Sequence, residues 1–248
     1  MTPPGGEPFR YVGSELDLFA AAVGWKAYVR QQVAPYLGRE VLEVGAGHGG
    51  TTRALVAAAH PETTRWVGLE PDAALAGRLA RTIEAGGLPA FCAARLGTLA
   101  ALAESERFET ILYMDVLEHI EDDRAELARA AARLRPGGHL VVLSPAHPWL
   151  FTPFDRAIGH YRRYTLATLC AAVPPDSGLE AVRLRYLDAV GMLASLGNRL
   201  VLRSARPTPR QIAFWDRLMV PLSRRVDPLL AYSVGKSVLG VWRLNPGR

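Results

Sequence analysis

The chain has 248 residues, 49% hydrophobic and 21% charged, with a formal net charge of +5. This is enough apolar material for a single decorated α/β domain, and it excludes wholesale disorder. Two cysteines, Cys92 and Cys170, exclude a disulfide framework or a cysteine-rich zinc site and point to a reducing, cytoplasmic compartment. The opening Met1-Thr-Pro-Pro-Gly-Gly-Glu7 lacks the basic-then-apolar plan of a signal peptide, and no apolar run reaches the roughly 20 residues that cross a bilayer.

Residues 1–14, rich in proline and glycine, are expected as an arm or frayed tail. Leu16, Phe19, Val23 and Ala27 recur at helical spacing and predict a helix over 15–36, stopped by Pro35 to Gly38. Strands and helices then alternate: strand 40–44, helix 51–59, strand 65–69, helix 72–84, a weaker strand 89–93, strand 110–114 and helix 122–135. Pro136-Gly-Gly138 turns the chain into strand 139–143. Residues 145–165, rich in proline, histidine, aromatics and arginine, read as a lid. A strand over 179–187 follows, then a helical stretch cut by Pro207, Pro209, Pro221 and Pro228, and a strand over 237–244. The pattern predicts a doubly wound, mostly parallel seven-stranded α/β sheet. Its expected parts are an arm and cap helix (1–37), the α/β domain (38–187), a helical insertion (188–236) and a final strand and tail (237–248).

Charge is unevenly spread. Residues 180–248 hold 12 Lys+Arg against 4 Asp+Glu, and residues 1–179 hold 17 against 20. The excess either meets phosphate on nucleic acid, on a metabolite or at a membrane, or follows from an arginine bias of 27 Arg to 2 Lys along the whole chain. Within it, residues 211–231 space Ile212, Trp215, Leu218, Met219, Leu222 and Val226 helically beside Arg217, Arg224 and Arg225. Such a stripe lies on a membrane surface, in the core, or at a subunit interface.

The most informative segment is Val41-Leu-Glu-Val-Gly-Ala-Gly-His-Gly-Gly50, where a strand feeds a glycine turn and then a helix. Gly45 and Gly47 permit backbone angles that other residues resist and let a ligand approach the main chain. The next strand ends in Glu70, placed to take both hydroxyls of a ribose. Gly45-x-Gly47-x-x-Gly50 also satisfies the dinucleotide fingerprint, so glycine spacing alone does not decide the ligand. Glu43 does: a pyrophosphate is repelled by a fixed negative charge there, whereas a cationic ligand is attracted.

The sequence resembles the class I S-adenosylmethionine-dependent methyltransferases over residues 38–145. The resemblance rests on Leu42-Glu-Val-Gly-Ala-Gly-His-Gly49, Gly68-Leu-Glu-Pro71, Met114-Asp-Val-Leu-Glu-His119 and Leu134-Arg-Pro-Gly-Gly138. The middle motifs are similar to ubiquinone-type O-methyltransferases. Glu15-Leu-x-Leu-Phe-x-x-Ala-x-x-Trp25-Lys-x-Tyr28 and Gly159-His-Tyr-Arg-Arg-Tyr164 resemble a bacterial small-molecule sub-group. The resemblance implies S-adenosylmethionine as methyl donor. Glu43, Gly45, Ala46 and Gly47 would hold its methionine part, Glu70 its ribose and Pro71 its adenine. Thr98 and Leu99 occupy a slot where the family often has an acidic residue; with no carboxylate there, backbone groups would serve. Asp115 and Val116 would face the amino-acid end, and Trp25, Lys26 and Tyr28 would fold over the donor.

Methyl transfer needs an in-line nucleophile, excluded water and, for a hydroxyl, a base. His160 follows the fifth strand and so projects toward the reacting methyl. With Asp155 to orient it, His160 is either that base, a pin for the loop, or an acceptor contact. Asp115-x-x-Glu118-His119, if helical, shares one face and offers a possible Mg²⁺ site; the ordinary alternative is that His119 packs beside the ligands. Arg162, Arg163 and Tyr164 suit a phosphate or carboxylate on the acceptor, unless the arginines pair with Asp155 or Asp176. The acceptor is expected to be a small-molecule hydroxyl or amine on a sugar, glycolipid or secondary metabolite, with no nucleic acid partner.

Overall fold

The computed structural model describes residues 9–13, 15–197 and 208–247. Residues 1–8 and 14 of the arm, 198–207 of the helical insertion with Pro207, and Arg248 of the tail lie outside the described residues. Seven strands form one sheet: β1 (Glu40–Val44), β2 (Arg65–Glu70), β3 (Cys92–Leu96), β4 (Phe108–Met114), β5 (Leu134–Pro145), β6 (Leu179–Leu187) and β7 (Ser237–Leu244). Their order is β3-β2-β1-β4-β5-β7-β6. The first five are parallel, and β7 runs antiparallel to both β5 and β6. The strand order reverses between β1 and β4, which places a ligand crevice at their carboxyl ends.

Alternation along the strands makes two cores. Val41, Trp66, Leu112 and Val141 pack on one face with α2 (Val23–Val33) and α3 (Gly50–Val56). Leu42, Val67, Ile111, Leu140 and Val142 pack on the other with α5 (Asp123–Ala131) and α7 (Leu166–Ala172). The remaining helices are α1 (Glu15–Ala20), α4 (Ala73–Glu84), α6 (Pro153–Ala157), α8 (Ala189–Gly197), α9 (Pro209–Phe214) and α10 (Val220–Leu229). A π turn, Trp215–Met219, joins α9 to α10.

Four expectations shift. The helix expected over 15–36 breaks into α1, α2 and a 3-10 turn at Ala34–Tyr36. Ala22, ahead of α2, offers no side-chain cap; instead Gly24 and Trp25 donate their N–H groups to Asp216, which fixes where α2 starts. The helix expected over 122–135 ends at Ala131, because Pro136 disfavours helix at Arg135 and Leu134 pairs with Phe108. Pro136 to Gly138 lie inside β5, absorbed by a register shift, instead of forming a turn. The weak strand expected at 89–93 sits at Cys92–Leu96. Among the described residues, no helix is long and apolar enough to cross a membrane.

Buried aspartates tie the insertion to the rest. Asp188, fully buried, accepts from Trp215 Nε1 (2.7 Å), Ser223 Oγ (2.5 Å) and Gly191 N–H (3.0 Å). Asp227, also fully buried, accepts from the backbone N–H groups of Asp188 and Ala189 and from the Tyr28 hydroxyl (2.7 Å). Asp216 caps α2 as described. The cap helix and the insertion thereby form one wall beside the carboxyl edge of the sheet.

Candidate active site

A cavity of about 1320 Å³ opens at that edge. Its floor is the glycine turn after β1. Gly45 and Gly47 take φ of +68° and +57°, and a Cβ on Gly45 would sit 2.6 Å from the Val116 side chain. The turn is therefore a side-chain-free cradle. Its N–H groups are already used: Gly45 and Ala46 both donate to the Leu69 carbonyl, and Gly47 donates to Glu70 Oε2 at 2.8 Å. These donors are not free to form the nest a pyrophosphate needs.

Two carboxylates flank the cradle. Glu43 is 1% exposed and accepts from Trp66 Nε1 at 3.0 Å; burial pushes its carboxyl up to about 7. Glu70 accepts from Gly47 and from Asp72 N–H, and burial raises it as well. Each Glu70 oxygen keeps a further lone pair for a ligand hydroxyl. Pro71, Thr98, Asp115, Val116, Trp25 and Lys26 also line the cavity. Asp115 has φ +55°, rare for a residue with a side chain. It opens onto the cavity, yet protein surrounds it closely enough that burial lifts its carboxyl to about 6, against the opposing pull of His160 and Lys236.

The lid brings in a second group. Asp155 sits in a capping box with Thr152 at the start of α6. Its Oδ1 contacts His160 Nδ1 at 3.1 Å and Arg163 Nε at 2.8 Å; its Oδ2 takes Arg163 and Thr152. Burial raises this carboxyl, but the hydrogen bonds from His160 and Arg163 outweigh it and hold it below the ordinary carboxylate range. An ionised Asp155 only accepts, so Nδ1 of His160 carries a proton; in the neutral ring Nε2 is then the acceptor. Asp155 thus both pins the loop and orients the ring. His119 packs edge-on to His160 with ring centroids 4.5 Å apart; burial and then His160 push it down to about 3, so it is neutral.

Several expected contacts are not made. Tyr28 points into the core and donates to Asp227, away from the cavity. Leu99 is buried in the opposite core. Residues 162–164 are extended, so side chains alternate. Arg163 faces the cavity, while Arg162 pairs with Asp123 at 2.7 Å and the Tyr164 hydroxyl donates to the same carboxylate at 2.7 Å. Asp115 leaves the helical register, so the trio Asp115, Glu118, His119 does not assemble. Glu118, His119 and His160 instead bring one ligand atom each within 4.8 Å of one another. Glu118 is fully buried with Oε1 unpartnered; burial, then Asp115, raises its carboxyl well above the usual range.

Two features escaped sequence reasoning. Phe9 and Tyr11 of the arm line the cavity, and Tyr11 N–H donates to Asp72 at 2.7 Å. Lys236 also lines it, with Nζ 3.7 Å from the Trp215 ring centroid and 3.5 Å from Asp188. Burial lowers the pKa of Lys236. A signal was present: a chain with 27 arginines keeps only two lysines, Lys26 and Lys236, and both face this cavity.

The family described as "Methyltransferase domain" matches residues 20–184, more than half of the chain. The ubiquinone biosynthesis O-methyltransferase of Bradyrhizobium sp. (strain ORS 278) is 42% identical over 55 residues, so the chain spans about a fifth (22%) of that relative's length, and the match covers 22% of this chain. The enzyme of the same name from Ralstonia nicotianae is 25% identical over 171 residues, covering 64% of this chain and 70% of that one. Among solved structures, the N-methyltransferase NodS from Bradyrhizobium japonicum WM9, in complex with S-adenosyl-L-homocysteine, superposes with a TM-score of 0.56 at 16% identity, covering 97% of this chain and 95% of that one. With the family match over the glycine turn, both carboxylates and the lid, the chain belongs to the class I S-adenosylmethionine-dependent methyltransferases.

Proposed function

We propose that the chain transfers a methyl group from S-adenosylmethionine to a hydroxyl, less readily an amine, of a small apolar acceptor. The observation that carries this reading is the convergence on one cavity of the Gly45–Gly47 cradle with its two carboxylates and of a histidine held by Asp155. When bound, the donor supplies an electrophilic methyl on a cationic sulfur. Glu43 meets its ammonium end, Gly45, Ala46 and Gly47 admit its chain, and Glu70 accepts from its ribose hydroxyls. Pro71 and Thr98 flank the base. Asp115 and Val116 face the amino-acid end, and Trp25 and Lys26 close over it. His160 Nε2 takes the proton of the acceptor hydroxyl. Arg163 and His119 contact the acceptor.

Leu150, Phe151, Phe154, Ile158, Trp215 and Met219 wall the rest of the cavity. Such a surface favours a glycolipid or apolar secondary metabolite over a bare sugar or a polynucleotide. The relatives' names, which refer to ubiquinone biosynthesis, agree with an oxygen acceptor on an apolar molecule. No metal is required by this route. The free thiols Cys92 and Cys170 suit a reducing cytoplasm. The test is a screen of apolar phenols, quinols and glycolipids read as S-adenosylhomocysteine formation. Acceptor-dependent product supports the reading; a bound donor that no acceptor turns over argues for a non-methylating role.

A further inference from the structure

The fold sorts the charges of the basic C-terminal third. Of its four acidic residues, Asp188, Asp216 and Asp227 are buried and engaged by backbone and side-chain donors, which leaves only Glu180 on the surface. The arginines stay outside. Arg210, Arg217, Arg224 and Arg225 are exposed along α9, the π turn and α10, and no carboxylate partner is found for any of them among the described residues. On the same outer face Phe214, Leu218 and Leu222, four residues apart, are 58%, 58% and 46% exposed. Ile212, Asp216, Val220, Ser223 and Asp227 form the opposite, buried face. Arg210, Arg217, Arg224 and Arg225 share the exposed side of this segment with that apolar row. This face also borders the cavity mouth, because Arg210, Gln211 and Phe214 belong to the cavity wall.

We propose that α9 and α10 dock the protein on an anionic lipid surface, with the cavity mouth turned toward the lipid. Apolar side chains flanked by arginines, with no exposed acid of the segment's own, partition into the headgroup boundary while the guanidiniums meet lipid phosphates. A second copy fits this face poorly. A two-fold contact would set one row of arginines against the other with no carboxylate between them. A nucleic acid would use the arginines but leave Leu218 and Leu222 without a partner. Delivery of an apolar acceptor from the lipid to the cavity rests on the methyltransferase reading; the docking does not.

The experiment is co-sedimentation of the full chain with phosphatidylcholine vesicles, with and without phosphatidylglycerol, alongside donor titration by calorimetry. Binding is expected only to the anionic vesicles and is reversed by salt. Leu218→Ser with Leu222→Ser, and separately Arg217→Glu with Arg224→Glu, are each expected to weaken partitioning by about tenfold or more, with donor affinity unchanged. An environment-sensitive dye on Ala213→Cys in a Cys170→Ser background should brighten with vesicles; the same dye on native Cys170, on α7, should not. Absence of vesicle binding, or equal binding by wild type and both variants, overturns the proposal. So does a concentration-dependent dimer lost in the same variants without vesicle binding, or brightening of the Cys170 dye alone. Failure of the donor titration would instead strike the methyltransferase reading and leave the docking result standing.

Discussion

The two walls of the cavity are built on different principles. The donor wall, at the ends of β1 and β2, is made by neighbours in the chain: Glu43, Gly45, Gly47 and Glu70 lie within 28 residues. The opposite wall is made by distant partners. Asp216 caps a helix 191 residues away, and Asp227 holds a tyrosine 199 residues away. A motif encodes the first; long-range satisfaction of buried polar groups encodes the second. The donor wall should accordingly fail in binding when altered, and the far wall in stability.

The largest expected effect breaks the far wall. Asp227→Ala removes the acceptor of two backbone N–H groups and the Tyr28 hydroxyl and should cost about 3–5 kcal/mol in urea denaturation. A loss under about 1 kcal/mol would mean that water replaces the aspartate, and that the wall is not held as described. Next is the lid. His160→Ala should lower turnover by about 10²–10⁴-fold with donor affinity intact. Unchanged turnover would reduce His160 to a loop pin, the role its bond to Asp155 also supports.

A subtler effect sharpens the donor wall. Glu43 titrates near 7 because it is buried. A cationic donor prefers the ionised form, so affinity should fall as pH drops below 7, approaching about tenfold per unit. Glu43→Gln should bind more weakly above pH 7 and show no such slope; a persistent slope would assign the titration to another group. The smallest expected effect is none at all: a chelator should leave turnover unchanged, whereas inhibition reversed by Mg²⁺ would give Glu118, His119 and His160 a ligand role.

This contrast also explains what could be read from the sequence. The sheet and glycine turn were legible because strand alternation and the turn are chain-local. Tyr28 was misjudged because its spacing from Trp25 puts it on a helix, but its partner, Asp227, is visible only in three dimensions. Arg162 and Tyr164 were misjudged for a local reason: an extended segment sends alternate side chains to opposite sides, and only Arg163 faces inward. No motif surrounds Lys236; only its rarity in an arginine-rich chain marks it.

The central claim is that a cationic sulfur donor sits on the Gly45–Gly47 cradle with its ribose on Glu70. Calorimetric titration of the full chain with S-adenosylmethionine, wild type against Glu70→Ala, tests it most directly. One binding site is expected, weakened by about 10–100-fold in the variant through lost hydrogen bonds to the Glu70 carboxyl group. Undiminished affinity in Glu70→Ala, or binding of a nicotinamide dinucleotide in place of S-adenosylmethionine, would contradict it.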